Sequence, residues 1–454
     1  MARASASNGR DLDIVLLGAT GFVGRLTAAH LIETTPEGVR LGFAGRSRSK
    51  LDALVADLGP AARRVELVEI DVRDWADLQA LVARTKVIAS TVGPYMRDGM
   101  PLVRACAATG THYCDLTGEV LFVRRSADEC HEAARSSGAK IVHSVGFDSV
   151  PSDLGVWQTA QAAQAAGEGD LEDTILYVRS MKGGFSGGTI DSARQQAIQA
   201  RTDSAARTVL GDRYSLSPDR ANEPKGDEGR RDGRSPHTPS VDRPNALGPL
   251  AKVTPLGPAV EGVVRSGLKA VSVRQSEEGR WTAPFVMAEF NTRIVRRSNA
   301  LLDWAYGRGF RYREVTDLGR SPQAPLRGAA MTGGLVAALT GLSFAPTRAV
   351  LDRFLMKPGE GPSEEAMAEG RFVMDIHART STGARFKTRG AADKDPGYTG
   401  TAVMMGQAAL ALALDDERLP EMTGVLTPAT GIGGVLIERL IDQGFTFDTV
   451  QVED

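Results

Sequence analysis

Three glycines near the start of the chain have the spacing of a turn that binds a dinucleotide phosphate. Gly18, Gly21 and Gly24 follow an apolar run at residues 14–17 and open a helix-length stretch. In a strand–turn–helix unit such glycines let backbone N–H groups approach a pyrophosphate at the positive end of the helix. A tight turn without a ligand is the alternative reading. The spacing predicts a binding site made by Gly18, Thr20, Gly21, Phe22, Val23 and Gly24.

The residues expected beside the adenosine ribose favour a phosphorylated dinucleotide. About twenty residues beyond such a turn, NAD-binding proteins usually place Asp or Glu for the ribose hydroxyls. This chain instead has Arg46, Ser47 and Arg48, with no carboxylate to repel a phosphate. Arg46 and Ser47 can hold a 2′-phosphate through charge-assisted hydrogen bonds, so we expect NADP(H) as the cofactor. Alternatively, these cations only solvate the start of a helix.

Further candidate cofactor contacts follow the third and fourth predicted strands. Asp71 can accept a hydrogen bond near the adenine amino group, although solvation of the strand end explains it nearly as well. Thr91, Val92 and Gly93 close the fourth strand, where the crevice at the carboxyl ends of parallel strands holds the nicotinamide half. Gly93 would give the cofactor room.

The elements that must position these residues are visible as short apolar runs alternating with helix-length stretches. This alternation is typical of repeated βαβ units and a parallel sheet. We therefore predict an α/β fold whose residues 1–158 form a Rossmann domain, a doubly wound parallel sheet. Strands are predicted at residues 14–17, 39–44, 65–70, 87–91 and 140–144, and helices at 22–33, 49–58, 75–84, 101–109 and 121–136.

A second domain, of the α+β type, is predicted for residues 159–400. After a helix at 153–166, strands are expected at 173–180, 285–295, 370–379 and 384–389. Residues 217–249 are rich in Pro, Gly, Asp and Arg, with too few apolar side chains to order themselves, and are predicted to be a disordered insertion. Residues 401–454 return to helical periodicity.

Composition narrows the class of protein. A chain of 454 residues with 42% hydrophobic residues is large enough for two domains. The net charge of −2 gives no electrostatic basis for binding nucleic acid. The three cysteines lack any paired spacing, and no apolar signal segment precedes residue 11, so we expect a cytoplasmic protein without disulfides or a zinc site.

Residues 329–344 are apolar but interrupted by Gly, Ala and Thr. The stretch is too short and too interrupted to predict a membrane span. A helix buried between domains is one interpretation. The other is peripheral contact with lipid or an acyl chain through Leu335, Leu339, Leu342 and Phe344, with Arg327 and Arg348 left in water.

Four motifs in order give the chain a family resemblance. They are GATGFVG at residues 18–24, TVGPY at 91–95, GTHYCDLTGE at 110–119 and GFDSVPSD at 146–153. Together they resemble the saccharopine dehydrogenase-like oxidoreductases, and among these the trans-acting enoyl reductases of actinobacterial lipid synthesis. The likeness is strong over about the first 160 residues and looser beyond them.

The resemblance implies more than a fold. It implies a C-terminal segment, residues 401–454, that packs back on the Rossmann domain. It also implies NADPH-dependent reduction of a carbon–carbon double bond in a polyketide-type acyl chain, carried by a separate polyketide synthase. The polar insertion at 217–249 departs from the pattern and weakens the comparison in the substrate domain.

Such a reduction needs a hydride, polarisation of the carbonyl group and a proton for the α-carbon. The predicted catalytic residues are Tyr95, His112, Tyr113 and Asp115, expected in loops at the carboxyl ends of strands. For each of them a role in capping or packing is the alternative. Metal ligation by His112, Cys114 and Asp115 is set aside, because no second cluster with ligand spacing exists.

The fourth motif has two readings. Asp148 or Ser149 would line the nicotinamide crevice, while Ser152 and Asp153 resemble caps of the following helix.

Two other functions remain open at this point. One is chemistry at a carbon–nitrogen bond, for which Arg179, Arg293 and Arg311 would have to converge on a dicarboxylate substrate. The other is a non-catalytic NADPH-binding scaffold associated with lipid. A long apolar tunnel for an acyl substrate would favour the enoyl reductase instead.

Overall fold

A parallel seven-stranded sheet, built mostly from residues 12–142, is the first of two sheets in this computed structural model. The structure describes residues 9–183, 187–223, 273–276, 279–343 and 361–453. The strand order is β13-β6-β5-β4-β1-β2-β3, and every neighbouring pair is parallel. The prediction of a doubly wound Rossmann sheet is confirmed. Its strands are β1 (Leu12–Leu17), β2 (Leu41–Gly45), β3 (Glu66–Glu69), β4 (Thr85–Ser90), β5 (His112–Asp115), β6 (Lys140–Val142) and β13 (Gly424–Leu426).

The helices lie between these strands and beyond them. Local sequence explains where several begin; for example, the Asp74 carboxylate accepts hydrogen bonds from Ala76 N and Asp77 N at the start of α3. The helices are α1 (Phe22–Thr34), α2 (Arg48–Leu58), α3 (Trp75–Ala83), α4 (Tyr95–Asp98), α5 (Met100–Thr109), α6 (Val120–Ser137), α7 (Val150–Ala165), α8 (Gly187–Thr202), α9 (Ser204–Gly211), α10 (Ala288–Leu301), α11 (Ala324–Ser343), α12 (Glu364–Ala368), α13 (Thr399–Leu414), α14 (Pro428–Gly431) and α15 (Gly434–Asp442).

A second, mixed sheet follows in the order β14-β12-β11-β7-β10-β9-β8. Only β7 and β10 pair in parallel, and the other pairs are antiparallel. Along its strands every second residue points to one face, and buried apolar side chains of that face, such as Leu176, Val178 and Ile376, pack with α7. Its strands are β7 (Leu171–Lys182), β8 (Arg274–Gln275), β9 (Trp281–Pro284), β10 (Arg311–Gly319), β11 (Arg371–Thr380), β12 (Arg385–Ala392) and β14 (Thr446–Val452).

The C-terminal elements contribute to both sheets. Helix α13 packs against α1, β4 and β5, and β13 pairs with β6 at one edge of the first sheet. The last strand, β14, instead pairs with β12 at an edge of the second sheet. The boundaries at 158/159 and 400/401 stay a prediction.

Polar contacts connect helix α7 with helices α10 and α14. The buried Asp153 carboxylate on α7 accepts hydrogen bonds from Ser298 Oγ on α10 and from Ala429 N (2.8 Å) on α14. Burial raises the pKa of Asp153 to about 6. These contacts stabilise the packing of α7 against helices from distant parts of the chain.

Two predictions about local structure are wrong. Residues 285–295 were predicted as a strand, but most of them belong to helix α10, which buries Phe290 and Ile294 at helical spacing. Ser152 and Asp153 are not helix caps, because α7 begins at Val150 and both lie inside its first turns.

Two predicted segments are only partly described. Of the insertion at 217–249, residues 224–249 lie outside the described residues. Residues 329–343 belong to α11, whose side chains are described only as far as Gly334. Within the described ranges, no helix is both long and apolar enough to cross a bilayer.

Candidate active site

The glycine turn between β1 and α1 leaves no room for side chains. Gly18 has a φ of +85°, and a Cβ built there would lie 2.6 Å from Thr91 Oγ1. A Cβ on Gly24 would lie only 2.1 Å from the Gly18 carbonyl oxygen. Both positions therefore require glycine, as a turn does when the helix N-terminus must approach a phosphate. Gly21 is exposed in the middle of this turn.

The end of β4 is bound to the same turn. Thr91 Oγ1 donates toward the carbonyl oxygens of Leu17 (3.2 Å) and Gly18 (3.1 Å), and Thr91 N donates to Leu17 O (2.9 Å). Val92 packs close enough that a Cβ on Gly18 would lie 2.9 Å from its Cγ2. Gly93 is exposed beyond them. The structure thus brings Thr91, Val92 and Gly93 to the glycine turn.

Arg46 lies just beyond the end of β2, beside this turn. Gly18 N donates to Ala44 O (2.9 Å), which fixes the end of β2 next to the glycines. Arg46 is exposed and makes no hydrogen bond or ion pair within the described part of the chain. Arg48, by contrast, pairs with Asp52 at 3.1 Å. An unpaired guanidinium at this point is suited to bind a 2′-phosphate.

The remaining predicted cofactor residues lie after the carboxyl ends of β1, β2 and β3, at the same edge of the sheet as the turn. Ser47 precedes α2, and its hydroxyl lies 3.1 Å from Ser49 Oγ rather than capping the helix. Asp71 follows β3, with its carboxylate accepting a hydrogen bond from Arg73 N (3.1 Å). Thr20 and Val23 lie at the turn itself.

Phe22, at the first position of α1, packs against the C-terminal half of the chain. Its ring lies 4.9 Å from the ring of Tyr398, edge to face. A Cβ on Gly361 would lie 2.2 Å from Phe22 Cζ. Phe22 therefore anchors the turn against later residues, a contact that the sequence pattern did not predict.

Tyr95 is buried and both hydrogen-bonding functions of its phenol are used. The hydroxyl donates to Ser90 O (3.0 Å) and accepts from Leu116 N (3.2 Å). Burial and the nearby Asp115 hold the pKa of Tyr95 well above its usual range. The phenol joins the end of β4 to the end of β5, so its contacts are those of a brace between strand ends.

Asp115 is the centre of a fully buried network. Its Oδ2 lies 2.7 Å from His143 Nδ1 and accepts from the Tyr113 hydroxyl (3.0 Å), while Oδ1 accepts from Thr117 N and Ser144 N. His143 Nε2 in turn lies 2.8 Å from Ser126 Oγ on α6. Neither Asp115 nor His143 is accessible to solvent. The Asp–His–Ser sequence of contacts therefore holds β5, β6 and α6 together.

The expected position of His112, Tyr113 and Asp115 in loops is wrong, because all three lie on β5. His112 is paired in register with Val87 and Asp115 with Ser90, so His112 lies at the amino end of the strand, about 10 Å from Asp115. Its Nδ1 accepts a hydrogen bond from Lys140 N (3.1 Å). His112 is therefore on the edge of the sheet opposite the glycine turn.

Sequence reasoning missed two polar residues at the carboxyl ends of the strands, the edge that carries the glycine turn. His143 follows β6, and only its place at the end of a predicted strand hinted at it. Glu119 ends the GTHYCDLTGE motif and is fully buried; its carboxylate accepts hydrogen bonds from Tyr95 N (3.0 Å), Met96 N (2.8 Å) and Ser192 Oγ (2.7 Å). Burial raises the pKa of Glu119 despite these bonds.

Asp148 lies in the turn between β6 and α7, at the same edge of the sheet. A Cβ on Gly118 would lie 3.6 Å from Asp148 Oδ2 and 3.9 Å from Met287 Cε. The side chain is partly buried and, within the described residues, has no hydrogen-bonding or ionic partner. Burial raises the pKa of Asp148 to about 6.

The arginines considered for a dicarboxylate substrate do not converge. Arg179 pairs with Asp317 and Asp375, and Arg311 pairs with Asp173. Arg293, buried on α10, donates to the carbonyl oxygens of Asp212 and Leu210.

One cavity of the described structure lies away from this site. A cavity of about 340 Å³ lies among Leu12, Arg40 and Glu66, at the amino ends of β1, β2 and β3 and away from the glycine turn. In the described residues, no three His, Cys, Asp or Glu side chains are grouped as metal ligands would be. Cys106, Cys114 and Cys130 are all buried thiols.

Comparison with known proteins finds a family model and a solved structure with related names. Residues 14–142 match the model of the saccharopine dehydrogenase NADP binding domain, a segment that includes the glycine turn and Arg46. A solved saccharopine dehydrogenase (L-Glu forming) from Saccharomyces cerevisiae aligns over 97% of this chain and 99% of its own, with 13% identity and a TM-score of 0.48.

Curated relatives match over nearly the whole chain. A Mycobacterium tuberculosis protein is 44% identical over 98% of both chains, and its name assigns it to the trans-acting enoyl reductases. Trans-acting enoyl reductases of Mycobacterium bovis and Mycobacterium ulcerans are each 41% identical, covering 98% and 96% of this chain and 99% and 97% of their own. The chain therefore belongs to the trans-acting enoyl reductase family and is an NADP(H)-dependent oxidoreductase.

Proposed function

We propose that this protein uses NADPH to reduce a carbon–carbon double bond in a polyketide- or lipid-type acyl chain presented by a separate synthase. The observation that carries the proposal is the identity of 41–44%, over nearly full length, to trans-acting enoyl reductases. The family likeness therefore identifies the reaction class.

The residues of this chain support the proposal by what they can bind. The glycine turn offers backbone N–H groups to the pyrophosphate, and Arg46 offers an unpaired guanidinium to the 2′-phosphate. NADPH, when bound, supplies the hydride for the β-carbon. The ends of β4 and β5, which Tyr95 joins, would line the part of the crevice that receives the nicotinamide.

Of the predicted catalytic residues, we now propose positioning roles for three. All three side chains, those of Tyr95, Tyr113 and Asp115, are buried. The Tyr95 hydroxyl donates to Ser90 O and the Tyr113 hydroxyl donates to Asp115 Oδ2, contacts that suit residues holding loops in place. We omit His112 from the proposed site because it lies at the amino end of β5.

The proposal is tested by mixing purified protein with a long-chain 2-enoyl thioester of coenzyme A and following the loss of NADPH absorbance. We expect NADPH oxidation with the enoyl thioester and none with the saturated thioester of equal length. Mass spectrometry should find a product two hydrogens heavier. Oxidation of NADPH only with an imine-forming pair, an amino acid and an aldehyde or keto acid, would instead assign chemistry at a carbon–nitrogen bond.

A carrier-bound acyl substrate and a polyketide synthase partner follow from the same proposal. Rate measurements with the acyl chain on coenzyme A and on an isolated carrier domain test it. A higher kcat/KM with the carrier domain supports docking of a synthase partner, while equal values support a free thioester substrate.

Peripheral contact with lipid or an acyl chain is proposed for α11. Leu326 and Met331 on this helix are 75% and 43% exposed, so both apolar side chains are accessible to a lipid surface or an acyl chain. Sedimentation with vesicles of phosphatidylglycerol and phosphatidylcholine tests the contact. We expect wild type to sediment with vesicles and a Leu326→Ser, Met331→Ser variant to stay in the supernatant. Equal sedimentation of both proteins would refute the contact. The cytoplasmic location expected from the sequence stays a prediction.

A further inference from the structure

The carboxyl ends of four neighbouring strands form a continuous row that ends at Asp148. Thr91 Oγ1, after β4, contacts the glycine turn after β1, and the Tyr95 hydroxyl accepts from Leu116 N after β5. Gly118, two residues further on, faces Asp148 after β6. Ligands of open parallel sheets bind in the crevice along this edge. Asp148 is therefore at the nicotinamide half of the row, away from Arg46.

Asp148 differs from the other acidic residues of this edge. Asp115 and Glu119 each accept at least three hydrogen bonds from the protein. Asp153 accepts from Ser298 Oγ and Ala429 N. Asp148 accepts none within the described residues and keeps part of its surface accessible. Among these four acids it is the one left free to contact a ligand.

The surroundings of Asp148 favour its protonated form. Gly118 faces the Asp148 carboxylate, since a Cβ built on Gly118 would lie 3.6 Å from Asp148 Oδ2, and the other atom near that position, Met287 Cε at 3.9 Å, is uncharged. The closest acid along that loop, Glu119, has both oxygens bonded to Tyr95 N, Met96 N and Ser192 Oγ. Burial is the cause of the pKa of about 6 at Asp148, with no contribution from a neighbouring charge. Near neutral pH a useful fraction of the carboxyl group thus holds a proton.

We infer that Asp148 is the proton donor for the acyl α-carbon, an assignment that rests on the proposed enoyl reduction. The C4 hydride of NADPH forms the new bond to the β-carbon, and the π electrons of the double bond move to the α-carbon and thioester carbonyl. The O–H bond of Asp148 breaks as its proton forms the new bond to the α-carbon. The products are the saturated thioester, NADP⁺ and the Asp148 carboxylate, which takes its next proton from water.

The first test compares wild type with Asp148→Asn in the enoyl-thioester assay. We expect kcat/KM to fall about a hundredfold or more, with the Kd for NADPH changed less than about twofold. Wild-type kcat/KM should decline as pH rises through about 6, because the acid form is lost, and Asp148→Asn should lack this decline. Asp148→Glu keeps an acid at the site and should recover part of the rate.

The matched control is Asp128→Asn, which removes one carboxylate from the exposed side of α6, where it pairs with Arg124. This variant should match wild type in rate and pH profile. An Asp148→Asn variant that binds NADPH normally and keeps the wild-type rate and pH profile would overturn the assignment.

A second measurement needs no turnover. The oxidised nicotinamide ring carries a positive charge, so an ionised carboxylate beside it stabilises bound NADP⁺ relative to NADPH. At pH 8, Asp148→Asn should weaken NADP⁺ several-fold and leave NADPH unchanged, and at pH 5 the two proteins should agree. Equal ratios of the two affinities in both proteins at both pH values would show that Asp148 does not face the ring. A different result would separate the two proposals: the ratio of NADP⁺ to NADPH affinity depends on Asp148, but the protein reduces no enoyl thioester. That result would refute the proposed function and would still place Asp148 beside the nicotinamide.

Discussion

Asp115 Oδ2 and His143 Nδ1 lie 2.7 Å apart, and neither side chain has any surface exposed to solvent. The contact joins the end of β5 to the residue after β6, two strands whose backbones pair only at Tyr113 with Ile141 and at Cys114 with Val142. A buried pair of this kind depends on both partners, because removing one leaves the other without compensation.

We therefore predict that Asp115→Asn and His143→Ala each lower the free energy of unfolding by about 3 kcal/mol. Urea titration monitored by circular dichroism measures this loss. Ser126→Ala, which removes only the contact to His143 Nε2, should cost about 1 kcal/mol. If Asp115→Asn were as stable as wild type but inactive, Asp115 would act in the reaction itself rather than in holding the strands.

Arg46→Ala should remove the preference for the phosphorylated cofactor. Since the Arg46 guanidinium has no partner in the described protein, its loss affects the ligand and not the fold. We expect NADPH affinity to fall at least about tenfold, or about 1.4 kcal/mol, with NADH affinity unchanged. Titration of nicotinamide fluorescence measures both. Arg48→Ala is the control, because Arg48 already pairs with Asp52; an equal loss in both variants would show a general charge effect.

Gly24→Ala should disrupt the phosphate-binding turn. The added Cβ would lie 2.1 Å from Gly18 O, a backbone atom that cannot move without opening the turn. We expect stability to fall by about 2 kcal/mol and NADPH affinity to fall at least about tenfold. The matched substitution is Gly309→Ala, whose Cβ would meet no atom within 4 Å. Normal NADPH binding by Gly24→Ala would contradict the assigned role of the turn.

Stability should fall in mild acid because of His30. This side chain is buried between α1 and α13, with Gln407 Nε2 2.9 Å from its Nε2, and burial lowers its pKa from 6.5 to about 4. The unfolded chain therefore binds the proton more tightly than the folded chain. The contribution of neutral His30 to the free energy of unfolding is complete above pH 6.5 and is lost as pH falls toward 4. Between pH 7 and pH 5 the loss is about 2 kcal/mol.

The variant His30→Gln isolates this effect, since its side-chain oxygen can accept from Gln407 but does not titrate. Urea titrations at pH 7 and pH 5 should show a drop for the variant that is about 2 kcal/mol smaller than for wild type. His112, whose pKa is also lowered to about 4 by burial, stays in both proteins and cancels in the comparison. Equal drops in the two proteins would assign the acid sensitivity to other groups.

The features predictable from sequence were those set by local patterns. Short apolar runs located β1, β2, β4 and β6, because strands buried on both faces are continuously apolar. The apolar residues between Val65 and Ile70 located β3, whose two glutamates are exposed. The glycines at 18, 21 and 24 stood out because their spacing reflects a steric demand within one turn. The strand β5 was missed because it is four residues long and ends in the polar Asp115.

The features that escaped prediction depend on contacts between distant residues. Nothing local to Glu119 or His143 shows that one accepts from the start of α4 and the other contacts Asp115. The prediction of a strand at 285–295 is wrong because Phe290 and Ile294 are apolar at a spacing that suits a helix. The guanidinium groups of three nearby buried arginines also donate hydrogen bonds to backbone carbonyl oxygens. Tertiary contacts there outweighed the apparent β-propensity.

The place of β13 in the first sheet has a consequence for biosynthesis. Strand β6 is complete once residue 142 has been translated, yet its outer neighbour, residues 424–426, is translated only after strands β7 to β12 of the second sheet. Until then the nascent nucleotide-binding domain exposes a row of unpaired N–H and C=O groups along β6, an edge to which other growing chains can pair. A nascent chain released early would keep that edge exposed, so ribosome stalling within the second half of the message would yield aggregation-prone fragments rather than a free-standing cofactor domain.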